Sequence, residues 1–243
     1  VDARVLAVDG LVNARDLGGL PLVGGGWTAR GMFYRSETAD RITPLGWEQL
    51  QEKGIRSIVD LRAPAERVRD TQPRPGWLTT VVVDLDGPEN REFWPYYEDS
   101  GLDGTAAYFL PHLAAMPERM GGVLRALAEA PPGGVLFHCA SGRDRTGLTA
   151  MVLLSLAGVE PVAIIADYLE TIRLGGNFAL TTDADHQLIP IEELLAQHGT
   201  TAEGVFTESL AGLDLDELIR RADVSPQTRQ TLETWRAHRI HDQ

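Results

Sequence analysis

One cysteine and one lysine occur in the 243 residues of this chain, and each scarcity excludes something. With Cys139 alone, no internal disulfide can form, and an oxidised Cys139 has no resolving thiol within the chain. A reducing, cytoplasmic setting is the expectation. No secretory signal is visible, although a chain starting at Val1 leaves open a leader already removed. Lys53 is the only lysine among 22 basic residues, a bias that points to a GC-rich genome. Long apolar runs are missing too: none approaches the roughly 20 residues of a membrane span, so no stable membrane anchor is expected. Positive charge is in deficit. The formal net charge of −13 argues against nucleic acid as partner and gives no attraction to anionic membranes. There is no repeat and no low-complexity stretch. The length and the hydrophobic fraction of 43% fit a single α/β domain over residues 1–243.

What is present centres on ten residues, His138-Cys139-Ala140-Ser141-Gly142-Arg143-Asp144-Arg145-Thr146-Gly147. The preceding Gly134-Val135-Leu136-Phe137 is short, apolar and β-prone, and reads as a buried strand. The residues from Arg145 to Leu156 read as an apolar helix ended by Gly158. The cysteine therefore lies at a strand-to-helix turn, where free backbone N–H groups and the helix dipole attract an anion. Arg145, six positions on, can close the loop and hold two oxygens of that anion in a fork. The amides of Ala140, Ser141, Gly142 and Arg143 would line the cradle. Only a thiolate is a good nucleophile, and all of these groups favour negative charge at the sulfur. Thr146 can hydrogen-bond the sulfur, and His138 can orient the loop. A lone cysteine is usually a small buried hydrophobe, but Gly, Arg and Thr at these offsets point to nucleophilic catalysis on phosphorus.

His-Cys-x-x-Gly-x-x-Arg-Thr-Gly resembles the signature loop of the cysteine-dependent protein tyrosine phosphatase superfamily. With Asp144 before the Arg, it is similar to the bacterial branch of atypical lipid phosphatases, or tyrosine/serine phosphatases. Asn13-Ala14-Arg15-Asp16-Leu17-Gly18-Gly19, Phe33-Tyr34-Arg35-Ser36, Val59-Asp60-Leu61-Arg62 and the helix with Asp167-Tyr168-Leu169 resemble further elements of that branch, in the same order. The resemblance implies a phosphatase-like α/β fold, a cysteinyl-phosphate intermediate, no cofactor or metal, and Asp144 as catalytic acid. The branch usually carries Lys, linked to phosphoinositide hydrolysis, where Arg143 stands. Arg143 keeps the charge but not the point-like geometry.

The residues themselves leave the acid open among Asp144, Asp60 at a strand end, and the Asp84/Asp86 pair. Asp60 could instead be a structural partner for Arg62 or Arg35. Arg15-Asp16 reads either as a turn closure or as support for the site's rim. Trp94, Tyr96 and Tyr97 read as an aryl pocket or as packing.

Along the chain we expect a hairpin over 20–29 and a strand at 33–36. A helix from Pro44 to Lys53 behind Thr43 follows, then strand 57–61, a short helix near 64–70 and strand 79–85. A helix or pair of helices covers 105–130, then comes the strand 134–139, the loop helix, and helices at 161–172, 214–222 and 226–239. Residues 86–104 and 173–212 read as lid insertions. The fold class is α/β: a central, mainly parallel sheet of about four to five strands with helices on both faces. The function expected is phosphomonoester hydrolysis, acting on a phosphorylated protein or a phosphoinositide and releasing inorganic phosphate. A non-catalytic phosphate-binding module or a sulfurtransferase is the alternative.

Overall fold

The computed structural model describes residues 4–68, 70–175 and 190–235. Five strands form one sheet: β1 (Arg15–Asp16), β2 (Phe33–Ser36), β3 (Ile55–Asp60), β4 (Thr79–Val82) and β5 (Gly134–His138), in the order β1-β2-β5-β3-β4. All neighbours are parallel except β1, which runs antiparallel to β2 at one edge. The helices are α1 (Pro44–Glu52), α2 (Pro64–Arg67), α3 (Trp94–Ser100), α4 (Phe109–Ala115), α5 (Pro117–Glu129), α6 (Asp144–Leu156), α7 (Pro161–Gly175), α8 (Ile191–Gln197), α9 (Ala202–Ala211), α10 (Leu215–Arg221) and α11 (Pro226–Glu233).

Alternation along the strands divides the apolar residues between two faces. Phe33, Val59, Val135 and Phe137 pack with Val123, Leu124 and Leu127 of α5 and Leu148 and Leu153 of α6. Tyr34, Ile58 and Leu136 point the other way, against Trp47 and Leu50 of α1. Ile55 joins this second face although it is three residues from Ile58, because the β3–β5 register slips between Ile55 and Ser57. One inserted residue reverses the phase of a strand. Buried on both sides, the sheet is of the type covered by helices.

The parallel strands end level with one another. Ser36 and Asp60 both lie opposite His138, so the ends of β2, β3 and β5 open on one edge. In open parallel sheets, ligands bind at that carboxyl edge.

Several boundaries differ from the sequence expectation for local reasons. The hairpin over 20–29 is reduced to a single bridge, Pro21 with Trp27, around the Gly24–Gly26 turn. The strand expected over 79–85 is regular only to Val82, though Val83 N–H still bonds Asp60 O at 2.9 Å and Leu85 N–H bonds Leu61 O at 3.3 Å. Over 105–130 it is the pair of helices that forms: α4 and α5 part at Met116, since Pro117 offers no N–H and restricts the residue before it, which adopts φ −136° and ψ 54°. The helix near 64–70 ends at Arg67, and that over 226–239 ends at Glu233, with residues beyond Trp235 outside the described ones. Of the stretch 173–212, residues 176–189 lie outside the described ones, and α9 is part of the main core: Phe206 stacks on Tyr168 at 4.1 Å. Among the described residues, no helix is long and apolar enough to cross a membrane.

Candidate active site

The loop leaving β5 is held from behind. Thr38 N–H donates to Ala140 O at 2.9 Å, and Arg35 Nη2 donates to Gly142 O at 2.8 Å. In a trans peptide the N–H points opposite the carbonyl, so these ties turn the following amides toward the loop interior. Among the described residues, only Arg143 of the amides from Ala140 to Arg145 has a protein acceptor, Ser141 Oγ at 3.3 Å. Gly142 makes the turn with φ +72°, and a Cβ there would stand 2.5 Å from Ser36 O. Both facts exclude other residue types.

Cys139 sits at the loop's base, 1% exposed, and the Thr146 hydroxyl donates to its Sγ at 3.2 Å. His138, fully buried, donates from Nδ1 to Cys139 O at 3.0 Å. Burial lowers its pKa against the pull of Asp60, and the neutral ring serves the loop's shape. Arg145 leads the first turn of α6. Its Nη1 and Nη2 grip the two carboxylate oxygens of Glu66 on α2, with Nη2 to Oε1 at 2.8 Å, and Nη1 also reaches Asp86 Oδ2 at 2.9 Å.

Beside the loop lies a cavity of about 350 Å³ lined by Ala140, Ser141, Asp144 and Arg145 on one side of the sequence and by Asp86, Pro88, Trp94, Glu98, Asp103, Gly104 and Tyr108 on the other. Residues 86–104 supply most of the wall facing the loop. Trp94 does two things: it lines the cavity and donates from Nε1 to Asp86 O at 3.0 Å. Tyr97 packs beside Phe93 and Tyr108, whereas Tyr96 is exposed. Arg143 donates from Nε to Asp144 Oδ1 at 3.0 Å, and its guanidinium lies close over Gly104.

The carboxylates weighed as acids fall in different places. Asp60 is not in the cavity lining. It accepts from Arg62 Nε at 2.9 Å and Nη2 at 2.8 Å, and although burial pushes its pKa up, Arg62 and His138 hold it below the ordinary range. It acts as a structural partner of Arg62, which also binds Asp40 and Asp70. Asp84 faces Arg119. Asp86 and Asp144 both line the cavity. Burial, opposed by Arg145 and reinforced by Glu66, Asp84 and Asp144, pushes Asp86 up to about 6.

The Asn13–Asp16 segment is support. Asp167 of α7 is buried among Arg4, Arg15 and Arg35, at 2.8, 2.8 and 2.7 Å, and Arg35 passes the tie on to Gly142. Asn13 Oδ1 accepts from Arg15 at 2.7 Å, and Asp16 accepts the N–H groups of Gly18 and Gly31. Sequence reasoning missed Glu66, Tyr108 and the cavity-lining acids Glu98 and Asp103. Glu66 looked like an ordinary acidic residue in the first turn after Pro64, which is the only signal it gives.

A recessed thiol, inward amides and a forked guanidinium in one strand–loop–helix turn define the class of cysteine-dependent phosphate-handling sites. Comparison with known proteins narrows the class. The tyrosine phosphatase family matches residues 6–232, and the chain belongs to that family. A protein of Cupriavidus necator bearing a tyrosine-protein phosphatase name is 33% identical over 187 residues, covering 72% of this chain and 66% of that one. A tyrosine-protein phosphatase of Nostoc commune is 29% identical over 138 residues, 56% of this chain and 47% of its own. The triple specificity protein phosphatase PtpB of Mycobacterium tuberculosis is 26% identical over 235 residues, 84% and 81% of the two chains. The chain thus spans two thirds or less of the first two relatives.

Proposed function

We propose that this protein hydrolyses phosphate monoesters, with phosphotyrosine in protein as its preferred substrate. The observation carrying the proposal is that Cys139 Sγ lies at the base of the same short loop whose Ala140 and Ser141, together with Arg145, line one cavity. The thiolate attacks phosphorus in line and the ester P–O bond breaks, with the equatorial oxygens held by the amides and Arg145. A cavity carboxyl gives its proton to the leaving oxygen. Water then attacks the cysteinyl phosphate, the P–S bond breaks, Thr146 supports the departing thiolate, and inorganic phosphate leaves.

Asp144 is the proposed acid, as the family resemblance implies, and its place in the cavity lining is compatible with that. Asp86 carries a second reading: with its carboxyl pushed up to about 6, it retains protons closer to neutrality than an ordinary aspartate.

The walls support an aryl phosphate over an inositol lipid. Trp94 and Tyr108 offer apolar faces, while Asp86, Glu98, Asp103 and Asp144 make the rest of the lining acidic. Asp103 is pushed up by burial and then by Asp144 and Glu98, so these charges already repel one another. Further phosphates on a polyanionic headgroup would meet them, and Arg143 is already engaged by Asp144. Phosphoserine or phosphothreonine ranks next, phosphoinositide last. The test is phosphate release from nitrophenyl phosphate, phosphopeptides and phosphoinositides. Wild type should turn over the aryl phosphate, and Cys139→Ser should lose at least about a thousandfold of that rate. An inactive wild type that binds phosphopeptide marks a binding module, and persulfide formation from thiosulfate marks a sulfurtransferase; both refute the proposal.

A further inference from the structure

Arg145 has five N–H groups, and the way its neighbours share them is informative. Glu66 takes one from Nη1 and one from Nη2, end-on and with both carboxylate oxygens. Asp86 takes the second hydrogen of Nη1, on the Cδ side of the guanidinium plane. Nε–H and the remaining Nη2–H are left, and among the described residues neither has a protein acceptor. These two point the same way along one edge of the plane. That edge is the one able to hold two oxygens of a phosphoryl group in parallel hydrogen bonds.

We infer that Glu66 is a positioning residue, clamping the Arg145 guanidinium end-on so that its Nε–Nη2 edge is presented to the phosphoryl oxygens. The inference rests on the phosphatase reading given above. A guanidinium on a three-carbon stem rotates freely unless something fixes it, and an α6 N-terminus alone does not choose which edge faces the substrate. Glu66 does. It is set at the third position of α2, where its Oε2 also accepts Ala63 N–H at 3.0 Å, so the carboxylate itself is anchored. Arg145 holds this carboxyl below its ordinary range against the upward push of burial, so the clamp is charged at neutral pH. Because the clamp takes the outer edge, phosphate need not displace it.

The test uses Glu66→Gln and Glu66→Asp. Glutamine keeps an oxygen for Ala63 N–H but sets an NH₂ against the guanidinium; aspartate keeps the charge and withdraws it by one methylene. Two readouts are taken: kcat and KM on nitrophenyl phosphate, and tungstate affinity by calorimetry in the Cys139→Ser background, where no turnover occurs. We expect both variants to lose on the order of 10- to 100-fold in tungstate affinity and at least as much in kcat/KM, with kcat falling. The thermal midpoint without oxyanion should move by less than about 3 °C. The inference is overturned if Glu66→Gln stays within about twofold of its parent in both readouts. It is overturned equally if activity falls with the thermal midpoint while tungstate affinity holds. An inactive wild type refutes the phosphatase reading, whereas the tungstate comparison still judges Glu66.

Discussion

Asp86 and Asp144 divide the question of proton transfer, and leaving-group chemistry separates them. Loss of the acid matters most for a leaving group that cannot depart unprotonated. The variant lacking the true acid, Asp144→Asn or Asp86→Asn, should lose about 100-fold or more on phenyl phosphate but much less on nitrophenyl phosphate. If Asp86 is the donor, it deprotonates as pH rises through about 6, so wild-type kcat/KM declines above that pH and Asp86→Asn abolishes the decline. If Asp144 is the donor, Asp144→Asn and not Asp86→Asn carries the selective loss on phenyl phosphate. Residues such as Cys139, Arg145, Thr146 and Gly142 were legible in the sequence because all their offsets lie within one loop. Glu66 was not, since it meets Arg145 across 79 positions and its local setting is that of any helix start. Asp60 stayed open between an acid and a partner of Arg62, because a strand-end carboxylate looks the same in sequence whether it faces a cavity or, as here, Arg62.

At the scale of elements, the sheet was legible from alternation, and the helix breaks only in part. Apolar periodicity over 105–130 left one helix or two open, and Pro117, which begins the second, decides for two. The packing of α7 against β1 and β2 rests on Asp167. Burial pushes its carboxyl up, but Arg15, Arg35 and Arg4 outweigh that and hold it far below the ordinary range. Its stabilising contribution is therefore complete above the unfolded value of about 3.9 and is lost only as acid approaches the folded pKa. Asp167→Asn leaves the buried guanidinium groups of Arg15 and Arg35 short of their counter-charge and should cost about 3–5 kcal/mol in urea unfolding. Because Arg35 also holds Gly142 O, activity should fall at temperatures where the variant is still folded.

At the scale of the whole molecule, a net charge of −13 surrounds a site proposed to bind an anion. Long-range repulsion slows a small dianion and favours a phosphopeptide flanked by Arg or Lys. Raising ionic strength from about 0.01 to 0.15 M shortens the screening length from about 30 to 8 Å. Under that change kcat/KM should rise about two- to fivefold for nitrophenyl phosphate and fall for a basic phosphopeptide. Equal salt responses of the two substrates would argue against charge selection.

The ties behind the catalytic loop also set an order of assembly. Gly142 is held by a residue 107 positions earlier, and that residue is held by one 132 positions later. Contacts of such separation form late, after closure entropy has been met for most of the chain. A ribosome releasing this protein N-terminus first therefore exposes the thiol well before α7 can lock the cradle around it. During synthesis Cys139 is a bare thiol, and its loop is locked only when the chain behind it has arrived.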